Sequence, residues 1–153
     1  MVVYSQNTIM VNKSVNKLSQ NNILSLYKFL FFYTKEYSNW YGLLNWEDIS
    51  VSKFCTENRI VRKGRRNQHY NDSFFWFQTF TPKGKNVNDI AFHFLRHIRN
   101  AIAHANIRKE NRKKKSYFVM DDFDENGKQT MHGEIEENLF FLFINIIINT
   151  KKQ

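Results

Sequence analysis

The chain has 153 residues and a net charge of +9, and 42% of its residues are hydrophobic. A chain of this length buries enough apolar surface to fold without disulfides, so we expect one domain over residues 1–153. The single Cys55 excludes a disulfide scaffold, and an aromatic content of 16% excludes intrinsic disorder. The excess of Lys and Arg favours a polyanionic partner such as nucleic acid.

No apolar segment has the length of a secretion signal or of a membrane-spanning helix. The N-terminal residues 1–19 mix apolar with polar side chains, and the longest apolar run, 139–148, is about ten residues long. A spanning helix needs roughly 20 apolar residues. We therefore expect a cytoplasmic protein with no membrane partner.

Helical spacing dominates the first half of the chain. Apolar residues recur every three or four positions over 16–40 and over 47–62, which predicts two helices. A loop is expected at 63–70. The aromatic run 74–80 is then expected to form a short core helix, with a base-stacking platform as the alternative, and 81–86 is expected to be a loop.

Two clusters of basic residues could follow a phosphate backbone, one near the first loop and one after the third predicted helix. The alternative is that each is a solvated charged turn. The candidate RNA-binding residues are Arg62, Lys63, Arg65, Arg66, Arg108, Lys109, Arg112 and Lys113.

The last third of the chain predicts a β-hairpin and a terminal helix. Asn126-Gly127 suits the positive φ angles of a tight turn between strands at 117–120 and 128–135. The segment 134–152 begins with glutamates and ends with lysines, the charge order that a helix dipole favours. Its middle is apolar on all sides, so it is either central in the fold or shared with a second subunit.

The third predicted helix, capped by Asn86 or Asn88, has an apolar stripe between Ile90 and Ile102 and a polar face opposite it. Histidine can give and take protons near neutral pH, and the planar fork of arginine suits phosphate oxygens. The polar face therefore suits phosphodiester chemistry, unless it is simply the solvated side of an amphipathic helix. The face contains His93, His97, Asn100 and His104, with Arg96 and Arg99 beside them.

A metal site is the less favoured interpretation of these residues. His93 and His97 stand at i and i+4, as in metalloprotease helices, but Phe94 occupies the place of the required glutamate. The segment from Asp122 imitates the start of a calcium loop, yet its twelfth position is Gly133 instead of glutamate. We therefore predict no metal and no other cofactor.

The end of the third helix resembles the signature of the HEPN (higher eukaryotes and prokaryotes nucleotide-binding) superfamily, in which an arginine is followed after four to six residues by a histidine. Here Arg99 is followed after four residues by His104, and Asn100 is the polar residue that commonly follows the arginine. The signature covers 95–107. Over 86–150, the order of helix, basic loop, hairpin and terminal helix is similar to that of a plasmid-borne HEPN ribonuclease subgroup.

The resemblance implies a mainly α fold: a HEPN-like helical bundle, usually dimeric, with a small β-hairpin at about 117–135. It also implies a metal-independent endoribonuclease of a toxin–antitoxin or antiphage defence system. The implied catalytic residues are Arg99, Asn100 and His104. From their position on the same helix we expect Arg96 and His97 to be auxiliaries.

Helical geometry indicates a composite site independently. Arg99 and His104 lie about 140° apart around a straight helix, so one subunit does not aim both at one phosphate. Two copies related by a twofold axis could bring Arg99 of one near His104 of the other, or place two His104 rings beside one scissile bond. We expect a homodimer that cleaves RNA by attack of the ribose 2′-OH. The alternatives are a non-catalytic subunit that binds RNA or protein within a defence complex, and a toxin held inactive by an antitoxin.

Overall fold

The computed structural model describes residues 18–79 and 89–151. Within these residues the chain forms four α-helices, a short 3₁₀ helix and five β-strands. The helices are α1 (Gln20–Glu36), α2 (Ile49–Glu57), α3 (Ile90–Ala103) and α4 (Glu137–Ile148), with the 3₁₀ helix at Tyr37–Asn39. The strands are β1 (Ile60–Val61), β2 (Ser73–Phe77), β3 (Ile107–Arg112), β4 (Lys115–Phe123) and β5 (Gln129–Glu136).

The strands of these residues form one mixed sheet in the order β1-β2-β5-β4-β3. β1 and β2 are parallel, and every other neighbouring pair is antiparallel. The expected hairpin is present as β4 and β5, with Gly127 at a φ of 80°. The Asp124 carboxylate closes the turn, because it accepts hydrogen bonds from the backbone N–H groups of Asn126 and Lys128. This hairpin occupies the middle of the sheet.

The expected mainly α bundle is therefore wrong, because the described chain has an α/β fold. The aromatic run forms β2 instead of a helix, and Phe75 pairs with Gly133 of β5. A side chain at Gly133 would overlap the Phe75 ring, so the glycine gives the ring its place in the core. The basic segment that follows α3 forms β3 instead of a loop. Residues 74–77 are apolar at every position, so they fit helical and strand spacing alike, and pairing with β5 decides the outcome.

Two of the observed helices are shorter than the apolar patterns that predicted them. The pattern over 16–40 becomes α1 followed by the 3₁₀ helix, and the pattern over 47–62 becomes α2 and β1. The chain reverses between α2 and β1 at Arg59, whose φ is 54°. Asp89 caps α3 by accepting a hydrogen bond from the N–H of Phe92. Asn86, Asn88 and the expected loop 81–86 lie outside the described residues.

All four helices contribute buried side chains to one core with a single face of the sheet. Residues such as Phe75, Phe118 and Met131 point from the strands into this core. Since strand residues alternate, the other sheet face, called here the outer face, carries a second set of side chains. It includes Phe74, Trp76, Tyr117, Val119, Asp121, His132, Glu134, Arg108 and Arg112. Every helix in the described part of the chain is too short or too polar to span a bilayer.

Candidate active site

The polar face of α3 is covered by protein at its first two histidines. α3 packs against α1 on one side and against β4 on the other. His93 and His97 are only 3% and 2% exposed. The alternative of a solvated polar face therefore does not hold for these two imidazoles, and Asp122 of β4 contacts His97.

His97 is held between two hydrogen-bond acceptors. Its Nδ1 lies 2.7 Å from Oδ2 of Asp122, and its Nε2 lies 2.6 Å from the backbone carbonyl oxygen of Gln78. A carboxylate and a carbonyl are both acceptors, so each ring nitrogen of His97 lies against an acceptor group of the protein. His97 is therefore held in place and acts by positioning Asp122.

Asp122 is the centre of a buried polar network and is 3% exposed. It also accepts hydrogen bonds from the Asn100 amide at 3.2 Å and from the Phe123 backbone N–H at 2.9 Å. Burial raises the pKa of Asp122, but the hydrogen bonds from His97 and Asn100 bring that pKa below its usual value. The network thus contains a charged carboxylate whose oxygens are occupied by donors.

Asn100 connects this carboxylate to Arg99. Its amide nitrogen donates to Asp122, and its amide oxygen accepts from Nη1 of Arg99 at 3.0 Å. Asp122 can only accept and a guanidinium can only donate, so the orientation of the amide is fixed. Arg99 and Asn100 are both half-buried. We call them the Arg99–Asn100 pair.

His104 lies at the rim of the site as the C-cap of α3, where its side chain is exposed. The helix ends with Ala105 at a φ of 58°, and the N–H of Asn106 donates to the carbonyl of Ala101 at 2.8 Å. This Schellman-type ending usually has glycine at the left-handed position. It fixes the backbone of His104 while leaving the imidazole in solvent.

A second arginine, Arg96, lies half-buried one turn before Asn100. Burial raises the pKa of Tyr33 on α1, and the positive charges of Arg96 and Arg99 partly oppose that rise. The two guanidinium groups therefore act on the same region between α1 and α3.

A cleft of about 440 Å³ opens beside Asn100, but neither Arg99 nor His104 is in its lining. Its volume is within the range of about 300 to 1,000 Å³ typical of small-molecule sites, so a nucleotide-sized group fits. The lining includes Gln78, Arg96, His97, Asn100, Asp122 and Asn126.

Some of the candidate RNA-binding residues face into the protein and others face outwards. Arg62 faces inwards. Its side chain is 14% exposed, donates to the Trp46 carbonyl and to Ser52 Oγ, and lies over the Trp46 indole. Lys63 is exposed and pairs with Glu47, and its hydrogen bond lowers the pKa of that carboxyl. Arg62 therefore holds α2 and the following loop together.

The candidate residues on β3 are mostly paired. Arg108 lies 3.7 Å from Asp121, Arg112 pairs with Glu134, and Lys109 lies 3.1 Å from Glu137 on the helix side of the sheet. Arg65, Arg66 and Lys113 are exposed, and none of them pairs with a carboxylate among the described residues.

Sequence reasoning missed the ionic cluster around His132 on the outer face. Its ring nitrogens each lie 2.7 Å from a carboxylate oxygen, one of Asp121 and one of Glu134. Burial lowers the pKa of His132, but the two carboxylates raise it to about 9. The hairpin register, which places Asp121 opposite His132, was the signal that could have revealed the pair.

Within the described residues, no group of three or more His, Cys, Asp or Glu side chains is arranged to hold a metal ion. Comparison of the chain with protein-family models, with curated proteins and with solved structures gave no match. Function is therefore inferred from the side-chain arrangement at the end of α3.

Proposed function

We propose that this chain is a metal-independent endoribonuclease that uses Arg99, Asn100 and His104. The observation that carries this proposal is the attachment of the Arg99–Asn100 pair to the buried carboxylate of Asp122. A cation held by such a network needs little reorganisation when charge develops on a phosphate in the transition state. His97 supports the same network, because its Nδ1 contacts Oδ2 of Asp122, the oxygen that also accepts from Asn100.

The chemistry follows from the residue types. The ribose 2′-oxygen attacks the adjacent phosphorus and loses its proton, while the bond from phosphorus to the 5′-oxygen breaks and that oxygen gains a proton. The products are a 2′,3′-cyclic phosphate and a 5′-OH. His104 accepts or donates one of these protons, a role typically worth about 10² to 10⁴ in rate. Arg99 stabilises the charge on the phosphoryl oxygens.

Asn100 is a positioning residue in this proposal. One of the two amide N–H groups of Asn100 donates to Asp122, and the amide oxygen of Asn100 accepts from Arg99. The second N–H is left to orient the phosphate. Replacing Asn100 with Asp would put a second carboxylate beside Asp122 and would place a negative charge where a neutral N–H donor faces the phosphate.

The site is completed by a second copy of the chain. On a straight helix Arg99 and His104 lie about 140° apart, so the two side chains of one copy diverge. A twofold axis near the exposed end of α3 would bring Arg99 of one copy towards His104 of the other. The exposure of His104 at the rim supports such an arrangement.

A labelled RNA incubated in excess EDTA with wild type and with His104→Ala tests the proposal. Wild type should produce 2′,3′-cyclic phosphate ends, and His104→Ala should cleave at least about 100-fold more slowly. Asn149→Ala is the matched control, because Asn149 is the exposed C-cap of α4 as His104 is of α3. Equal cleavage by wild type and His104→Ala, or none by either, would contradict the proposal.

A further inference from the structure

The outer face of the sheet carries a groove that lies apart from the Arg99–Asn100 pair. Two cavities, of about 340 and about 1050 Å³, share His69 and Glu134 in their linings and therefore adjoin. One cavity is bounded by Arg65 and Arg66, and the other by the turn 113–114 between β3 and β4. We call the two cavities together the outer groove.

The ends of the outer groove are positive and its middle is neutral. Arg65, Arg66, Lys113 and Lys114 are all exposed, and none pairs with a carboxylate within residues 18–79 and 89–151. Between them the charges largely cancel, since Arg112 and His132 face carboxylates. The larger cavity is also lined by Asp72, Glu110 and Lys115. A ligand with negative charge repeated along its length matches two cationic ends separated by a neutral floor.

Aromatic rings lie under cations in this groove. The Arg66 guanidinium lies 4.8 Å from the ring of half-buried Trp76. The Arg112 guanidinium lies 4.8 Å from the ring of Tyr117, which is buried, so the half-buried guanidinium is the stacking surface there. Nucleobases stack on both aromatic rings and arginine planes. In a duplex the faces of the bases are already stacked, so this floor favours a single strand over a duplex.

The outer groove reaches the cleft of the candidate active site at the start of β5. Gln129 lines the groove, and its neighbour Thr130 lines the cleft. The pairing of β4 and β5 is irregular here, and Gln129 donates to Asp121 of the outer face. The two lining residues are adjacent in the chain, so the two cavities meet at this end of the sheet. One strand of nucleic acid that passed around this end would occupy both.

We propose that the outer groove binds single-stranded RNA, with bases on Trp76 and phosphates on the cationic ends. The assignment of RNA as the ligand rests on the proposed function. The binding residues are distinct from Arg99, Asn100 and His104.

The test is fluorescence anisotropy with a labelled 2′-O-methyl oligouridylate of about 12 nucleotides, within the roughly 4 to 16 that one domain can bind. This probe has no free 2′-OH and is not cleaved, so the result is independent of the His104→Ala test. Trp76→Leu should weaken binding by about 5- to 100-fold and Trp76→Phe should weaken it less, because a smaller aromatic ring still stacks. Thermal unfolding of both variants checks that the fold is kept.

Removing the cationic end tests the charge argument separately. The double variant Lys113→Ala/Lys114→Ala should weaken binding at least about fivefold. It should also reduce the slope of log affinity against log salt concentration by about 1.4, because each of the two lost phosphate contacts contributes about 0.7. Lys28→Ala/Lys35→Ala is the matched control, because it removes the same charge from exposed positions on α1. The control should change affinity less than about twofold.

Three results would overturn the proposal. The first is equal weakening by the two double variants, which would show non-specific attraction to net charge. The second is binding of an RNA duplex as tightly as the single strand. The third is that polyglutamate binds as tightly as RNA and that Trp76→Leu leaves both affinities unchanged. That result would indicate that the groove binds an acidic protein.

Discussion

His132 gives the stability of the folded chain a measurable pH dependence. It lies on β5 between Asp121 and Glu134, with both ring nitrogens hydrogen-bonded to carboxylates. Burial lowers its pKa, but the carboxylates raise that pKa from the usual 6.5 to about 9. The folded state therefore holds this proton more tightly than the unfolded state.

The sign and the size of the effect follow from that difference. Since the folded pKa lies above the unfolded one, the stabilisation is fully present below pH 6.5 and is lost as the pH rises through about 9. At about 1.36 kcal/mol for each pKa unit, the proton on His132 contributes at most about 3 kcal/mol to the free energy of unfolding.

Urea denaturation of wild type and His132→Gln between pH 6 and pH 10 measures this contribution. The difference in unfolding free energy between the two proteins should shrink by up to about 3 kcal/mol over that range. Other groups that titrate there do so in both proteins, so the difference isolates His132. Parallel curves for the two proteins would refute the reasoning.

Three further substitutions have expected effects on stability. Gly133→Ala places a Cβ against the Phe75 ring and should cost about 1 to 3 kcal/mol in urea denaturation; unchanged stability would show that the ring does not cover the glycine. Asp122→Asn replaces the buried carboxylate that contacts His97 and accepts from Asn100 and the Phe123 N–H, and should cost about 1 to 3 kcal/mol; a wild-type melting temperature would contradict the importance of this network. Arg62→Ala removes hydrogen bonds to a backbone carbonyl and a hydroxyl, and calorimetry should show a loss of about 1 to 3 kcal/mol, whereas no loss would indicate a surface role.

The third helix was predictable because its signal is local. The apolar stripe between Ile90 and Ile102 matches α3, which spans Ile90–Ala103. What covers the opposite face was not predictable from that stripe. Asp122 lies 25 residues after His97 in the chain, and a helical wheel cannot distinguish solvent from a distant polar partner. The helical pattern therefore could not predict the contact between His97 and Asp122.

The sheet was underestimated for two physical reasons. The aromatic segment of β2 is apolar at successive positions, and such a run has no period that separates strand from helix. The β3 segment alternates Arg108, Glu110 and Arg112 on one face, a period of two that its high charge concealed. The hairpin of β4 and β5 lies between β2 and β3 in the sheet. It was predictable from the sequence because Asn126-Gly127 is a specific turn signal.

The composite site is the central claim, and mixing two inactive variants tests it most directly. Arg99→Ala and His104→Ala should each cleave little RNA alone. Co-expressed with different tags and purified as the mixed dimer, they should recover about half of the wild-type rate, because one of the two sites would keep both residues. No recovery in the mixed dimer, with wild type fully active, would contradict a site shared between two copies.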